Sequence, residues 1–224
     1  MPGLLFFMNT EETIELLREI SNPVYLAGMK RFGIEDKTAL GIPTPELRKL
    51  AKIIKKDHAL ALELWETNIH EARILATMID DPKLVTAEQI DKWVGDFNSW
   101  DICDQACGNL FDKTPIAMEK ALQFSSAEEE FVKRAGFVLM AEYAVHDKKA
   151  GDETFLALLP IIEREAWDER NFVKKAVNWA LRQIGKRNDT LKYAAIDTAS
   201  KILLQNTKAA KWIATDALRE LKSR

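Results

Sequence analysis

The chain has 224 residues, 47% of them apolar and 30% charged, with a formal net charge of −3. That composition is ordinary for a globular protein able to bury a sizeable core. No apolar stretch approaches the roughly 18 residues of a membrane span, and the opening GLLFFM run lacks the basic lead and cleavage site of a signal peptide. Cys103 and Cys107 are the only cysteines, and with His58, His70 and His146 they make no zinc spacing. The expectation is reduced thiols in a cytoplasmic protein with no metal, cofactor or membrane.

Taken in order, nearly every segment reads as helix. Thr10 precedes EETIELLREI, whose acidic first turn suits the helix dipole. Pro23 opens VYLAGMKRFG, which ends near Gly33. Leu4, Phe6 and Phe7 favour packing of the segment before it. Thr44 and Pro45 then read as an N-cap and first helical position. ELRKLAKIIKK, ALALELWE and EARILATMID follow with a 3.6-residue period. Asp81-Pro82 breaks the pattern, and Thr86 restarts it through Gln89 and Trp93. The stretch NSWDICDQACGNLF, residues 98–111, reads as one helix with Ser99 as N-cap. Its Trp100, Asp104, Cys107 and Phe111 recur at four, three and four residues, on or near one face. Helices are expected next at 115–124, 128–146, 152–164, 169–186, 189–205 and 207–222. Alternating strand patterns are absent, so the fold is all-α.

An internal repeat refines this. FVKRAGFVLM begins at Phe131 and FVKKAVNWAL at Phe172, 41 residues later, and HEARILATMI at His70 is a weaker echo. A period near 40 with two helices per unit predicts a HEAT-like helical repeat solenoid, an α-α superhelix forming a single domain over 1–224. Inner helices would line a concave basic groove, with Arg134 and Lys175 at the repeated basic position. Charge agrees with a polyanion partner. Residues 171–224 hold 12 Lys and Arg against 4 Asp and Glu, and the rest of the chain holds 20 against 31. The alternative is that these lysines merely solubilise the chain, or that the concavity binds protein. A solenoid with polar ends need not associate, so a monomer is expected.

The motifs WDICDQACGNLF, FVKRAGFVLMAEY and NFVKKAVNWALRQIGKRN, with the earlier YLAGMKRFGIEDKTALGIPTPELRKLAK, resemble in order and character the AlkD-like DNA alkylation repair proteins. The resemblance covers nearly the whole chain. It implies a HEAT-like superhelix that removes positively charged alkylated purines from double-stranded DNA, leaving the lesion largely stacked. It also implies roles for Trp100, Asp104, Arg134 and Trp179.

The residue types suit that chemistry. An N-alkylated purine such as 3-methyladenine or 7-methylguanine carries a positive charge and leaves without a general acid. What must be stabilised is a deoxyribose gaining oxocarbenium character, which a carboxylate does while positioning water. Asp104 is the candidate. Trp100 and Trp179 offer indole faces, each about 0.5–2 kcal/mol against a cation. Arg134 suits a bidentate phosphate contact, and Lys133, Lys174, Lys175, Arg182, Lys186 and Arg187 are further candidates for DNA contact. No lysine is arranged for Schiff-base chemistry, which favours a monofunctional hydrolase.

Each residue alone fits a blander role. Trp100 and Trp179 could be core or groove aromatics, and Asp104 a surface acid or a structural partner of Arg134. Asp101 competes for the acid's role, about 100° round the helix from Trp100. Trp65, Trp93, Trp167 and Trp212 read as packing or surface residues, and Lys201, Lys208, Lys211 and Lys222 as solvated. The joint order of Trp, Asp, Arg and Trp favours the glycosylase. The alternatives are a non-catalytic relative binding damaged or branched DNA, and a protein-binding helical scaffold.

Overall fold

The computed structural model describes residues 8–34 and 37–223, and these form helices joined by short turns with no strand among them. Leu4, Phe6 and Phe7 lie outside the described residues. By their contacts the residues group into two compact units, Met1–Leu110 and Phe111–Arg224.

The first unit contains α1 (Thr10–Glu19), α2 (Pro23–Met29), α3 (Thr44–Ile54), α4 (His58–Glu66), α5 (His70–Ile79), α6 (Ala87–Gly95) and α7 (Trp100–Asn109). Asn9 starts α1 through a capping box, its side chain accepting from the Glu12 N–H while Glu12 reaches back to the Asn9 N–H. Asn22 caps α2 ahead of Pro23, and the 3-10 turn that follows stops at Gly33, where φ is 76°. Thr44 is not the cap of α3. Pro43 holds that place in extended backbone, so Thr44 and Pro45 are the first two helical residues.

The core of this unit is α5, buried at nearly every position and packed on α3, α4 and α7. Trp65 and Trp93 stack 4.0 Å apart with their planes 3° off parallel. Arg73 lies over the Trp65 ring and donates to the carbonyls of Trp65 and Asp96. Both indoles are packing residues, as their sequence context suggests.

The second unit contains α8 (Ala117–Ser125), α9 (Glu130–His146), α10 (Asp152–Leu156), α11 (Leu159–Glu165), α12 (Asn171–Gly185), α13 (Asp189–Leu204) and α14 (Lys208–Lys222). The single helix expected at 152–164 is two, because Pro160 has no N–H to continue the ladder and sits in the first turn of α11. The repeated segments meet directly. Helices α9 and α12 pack along each other, with the rings of Phe131 and Phe172 centred 5.5 Å apart. Trp167 and Trp212 are surface residues, 53% and 41% exposed.

Candidate nucleic-acid interface

Helix α7 divides cleanly. Ile102, Cys103, Ala106 and Cys107 are fully buried, whereas Trp100, Asp101, Asp104, Gln105, Gly108 and Asn109 are half-buried. At about 100° per residue the second group spans an arc of about 180°. Trp100 and Asp104 therefore share the accessible face, one turn apart. Cys107 and Phe111 do not join them. Both are fully buried: Cys107 falls at the α7 edge that seals the core, whereas Phe111 lies past the end of α7, in the 3-10 turn Phe111–Lys113, so the helix expected over 98–111 stops at Asn109. The indole of Trp100 is oriented by its Nε1–H, which donates to the Phe32 carbonyl at 2.8 Å.

Asp101, the competing acid, has a different task. Its Oδ2 lies 2.8 Å from Nε2 of the buried His70, and its Oδ1 accepts the Ser99 hydroxyl at 2.6 Å. Burial would push the carboxyl up, but the hydrogen bond and charge of His70, with the Ser99 hydroxyl, hold it below the ordinary aspartate value. Ser99 does take the N-cap position, yet its side chain serves Asp101 rather than the helix N–H groups. Nothing in the residue pattern announces the His70–Asp101 pair, which joins two helices from 31 positions apart.

In the second unit, α12 presents an analogous arc. Phe172, Trp179, Arg182, Gln183 and Lys186 are half-buried and Lys175 is exposed. Trp179 and Lys175 sit one turn apart on that face.

Most of the other basic candidates, expected to contact DNA, have partners within the protein. Lys133 is 3% exposed, with its ammonium 2.6 Å from Glu165 and 3.1 Å from Asp168. Arg134 is 5% exposed and donates from Nη1 to the Phe172 carbonyl at 2.7 Å. Arg187 donates to the carbonyls of Ala144, Asp147 and Ala150 at the end of α9, its guanidinium 3.9 Å from the Phe155 ring centre. Arg182 and Lys186 both pair with Glu220 at 2.5 Å. An inner helix touches neighbours on two sides, so its cations meet their acids and carbonyls before they meet solvent. Lys174 is half-buried, its ammonium 5.6 Å from the Trp212 ring centre. Lys175 remains exposed, without an ion pair among the described residues. Lys201, Lys208, Lys211 and Lys222 are exposed, as expected for solvated lysines.

The geometry of Asp168 shows how firmly Lys133 is held. Burial alone would raise its pKa, and the hydrogen bonds from Arg170 and Lys133 reverse that, lowering it to about 2. No group of three or more potential metal ligands occurs among the described residues.

Comparison with known proteins agrees with these observations. The family described as "DNA alkylation repair enzyme" matches residues 13–221. An uncharacterized protein of Listeria innocua, Lin0241, is 26% identical over 190 residues, covering 83% of both chains. Lmo0209 of Listeria monocytogenes is 24% identical over 190 residues with the same coverage. A solved structure described as a new family related to the HEAT-like repeat DNA glycosylases, with affinity for branched DNA structures, superposes with a TM-score of 0.78. It covers 95% of each chain at 19% identity. That likeness is one of fold: the helices have the HEAT-like repeat arrangement the sequence predicts.

Proposed function

The chain belongs to the DNA alkylation repair enzyme family, and from that premise we propose that it is a monofunctional DNA glycosylase acting on positively charged N-alkylated purines in duplex DNA. The observation that carries this reading is the pairing of Trp100 and Asp104 on the accessible arc of α7, with Asp101 removed from competition by His70 and Ser99.

In this reading the C1′–N bond breaks and its electron pair leaves with the base, which becomes neutral. The carboxylate of Asp104 stabilises the positive charge that grows on the sugar. Water adds its oxygen to C1′ and loses a proton to the carboxylate or to solvent. Trp100, its edge anchored to the Phe32 carbonyl, offers an indole face to the cationic nucleotide. Lys175, Lys174 and Trp179 of the second unit contact the DNA. The test is release of 3-methyladenine or 7-methylguanine from alkylated duplex DNA. No release by folded protein across pH and salt would end the enzyme assignment.

A second reading is binding of branched DNA without excision. It is supported by the description of the structural neighbour. Salt-sensitive binding to a four-way junction, tighter than to linear duplex and without base release, would select it.

A further inference from the structure

Helix α14 contains two acids, Asp216 and Glu220, and turns both toward α12. Asp216 accepts from Nδ2 of Asn178 at 2.7 Å, and Glu220 pairs with Arg182 and Lys186 at 2.5 Å each. One turn before Asp216, the ring of Trp212 has the Lys174 ammonium 5.6 Å from its centre. Trp212, Asp216 and Glu220 recur every four residues, so this row is the edge of α14 that lies along α12.

The solvent face is what remains. The exposed positions of α14 are Lys208, Lys211, Trp212, Thr215, Arg219 and Lys222. At about 100° per residue they fall within an arc of about 100°, and they run along about 20 Å of helix. Arg219 is paired with Asp216, whereas Lys208, Lys211 and Lys222 have no ion pair among the described residues. No acid shares the face. The neighbouring helix α13 is different, for its exposed charges are Asp189, Asp197 and Lys201. Its exposed aromatic residue, Tyr193, is 68% exposed with an aspartate one turn to either side. Trp212, 41% exposed, has Lys208 one turn before it and Lys174 beside its ring.

We propose that this face of α14 binds single-stranded DNA, with an unpaired base stacked on Trp212 and the flanking phosphates held by Lys208, Lys211 and Lys222. This rests on the reading of the chain as a DNA-binding repair protein, and it does not require that a base be excised. The occupant follows from ring and charge together. A cationic face alone suits any polyanion. In a duplex each base is covered by its neighbours, so an exposed indole gains little there. In a single strand every base has a face to offer, and aromatic stacking beside a cationic track is the usual sequence-tolerant contact.

The test is fluorescence anisotropy of the full chain with labelled oligothymidine and with a blunt duplex of the same length. Trp212→Ala should weaken oligothymidine binding about tenfold and duplex binding far less. Trp212→Phe should keep most of the affinity for the strand, and Tyr193→Ala should change neither. Replacing Lys208, Lys211 and Lys222 together by alanine should reduce the slope of log affinity against log salt for the strand by about 2, at about 0.7 per phosphate. No binding of oligothymidine by folded wild type, undiminished binding by folded Trp212→Ala, or an equal loss on strand and duplex overturns the proposal. Polyglutamate binding as tightly as the strand overturns it too, and would assign the face to an acidic protein partner. The DNA in this assay is unalkylated, so the two readings fail separately. Absence of base release from methylated duplex ends the glycosylase reading alone, and loss of strand binding ends this one alone.

Discussion

Arg134 donates from Nη1 to the carbonyl of Phe172 at 2.7 Å, and Phe172 occupies in the later repeat the place Phe131 holds in Arg134's own. The guanidinium thus joins one repeat to the next from a 5% exposed position. Losing a charged hydrogen bond to a buried carbonyl costs about 1.5–3 kcal/mol. Arg134→Ala should lower the unfolding free energy by that amount, read as a lower urea midpoint at an unchanged m-value. A midpoint equal to wild type would mean the bond contributes nothing.

Lys175 stands at the same repeat position as Arg134 and behaves differently. It is exposed on the arc that carries Trp179. Lys175→Ala should change stability by less than about 0.5 kcal/mol. It should weaken DNA binding evenly across sequences and reduce the slope of log affinity against log salt by about 1. Lys201→Ala, on an exposed lysine already paired with Asp197, should leave that slope alone.

The Lys133–Glu165–Asp168 cluster predicts the acid limb of stability. Folding lowers the Asp168 pKa to about 2, so the native state binds fewer protons than the unfolded chain below about pH 4. The associated stabilisation, about 2 kcal/mol, is complete above about pH 4 and is lost as pH falls through about 2. Asp168→Asn should flatten urea-derived stability over that interval. Lys133→Met, which leaves two buried carboxylates without their ammonium, should cost about 3–5 kcal/mol at neutral pH.

The helices and their repeat were legible because period, caps and breakers are local: Thr86 caps α6 and Pro23 opens α2 as read. The pairing of Trp100 with Asp104 was legible for the same reason, since both lie on one helix. The fates of Lys133, Arg182 and Arg187 were not. Each is decided by a partner tens of residues away, namely Glu165, Glu220 and the carbonyl of Ala144. A basic residue on an inner helix looks the same in sequence whether it meets phosphate or a neighbouring carboxylate.

Gly136 marks where the repeat departs from itself, for the equivalent residue 41 positions on is Val177. A methyl group at Gly136 would lie 2.6 Å from the Ser125 nitrogen and 2.9 Å from the Ala121 carbonyl oxygen. Those are backbone atoms of α8 and cannot swing aside. Gly136→Ala should cost about 1–3 kcal/mol through overpacking, although alanine is the better helix former. A thermal midpoint at or above wild type would show that α8 yields easily.

Asp104 and Asp101 lie on one helix and should respond oppositely to the same change. Asp104 is half-buried on the accessible arc, and Asn there keeps the shape while removing the charge that would face the developing sugar cation. Asp104→Asn should reduce base release from alkylated DNA by about 10²–10³-fold, with duplex affinity and melting temperature near wild type. Asp101→Asn breaks the contact with a buried His70, so its first effect should be on stability, at about 1–3 kcal/mol. If Asp104→Asn retained full release while Asp101→Asn abolished it without unfolding the protein, the chemistry would have to be moved from the outer arc of α7 to the His70 pair.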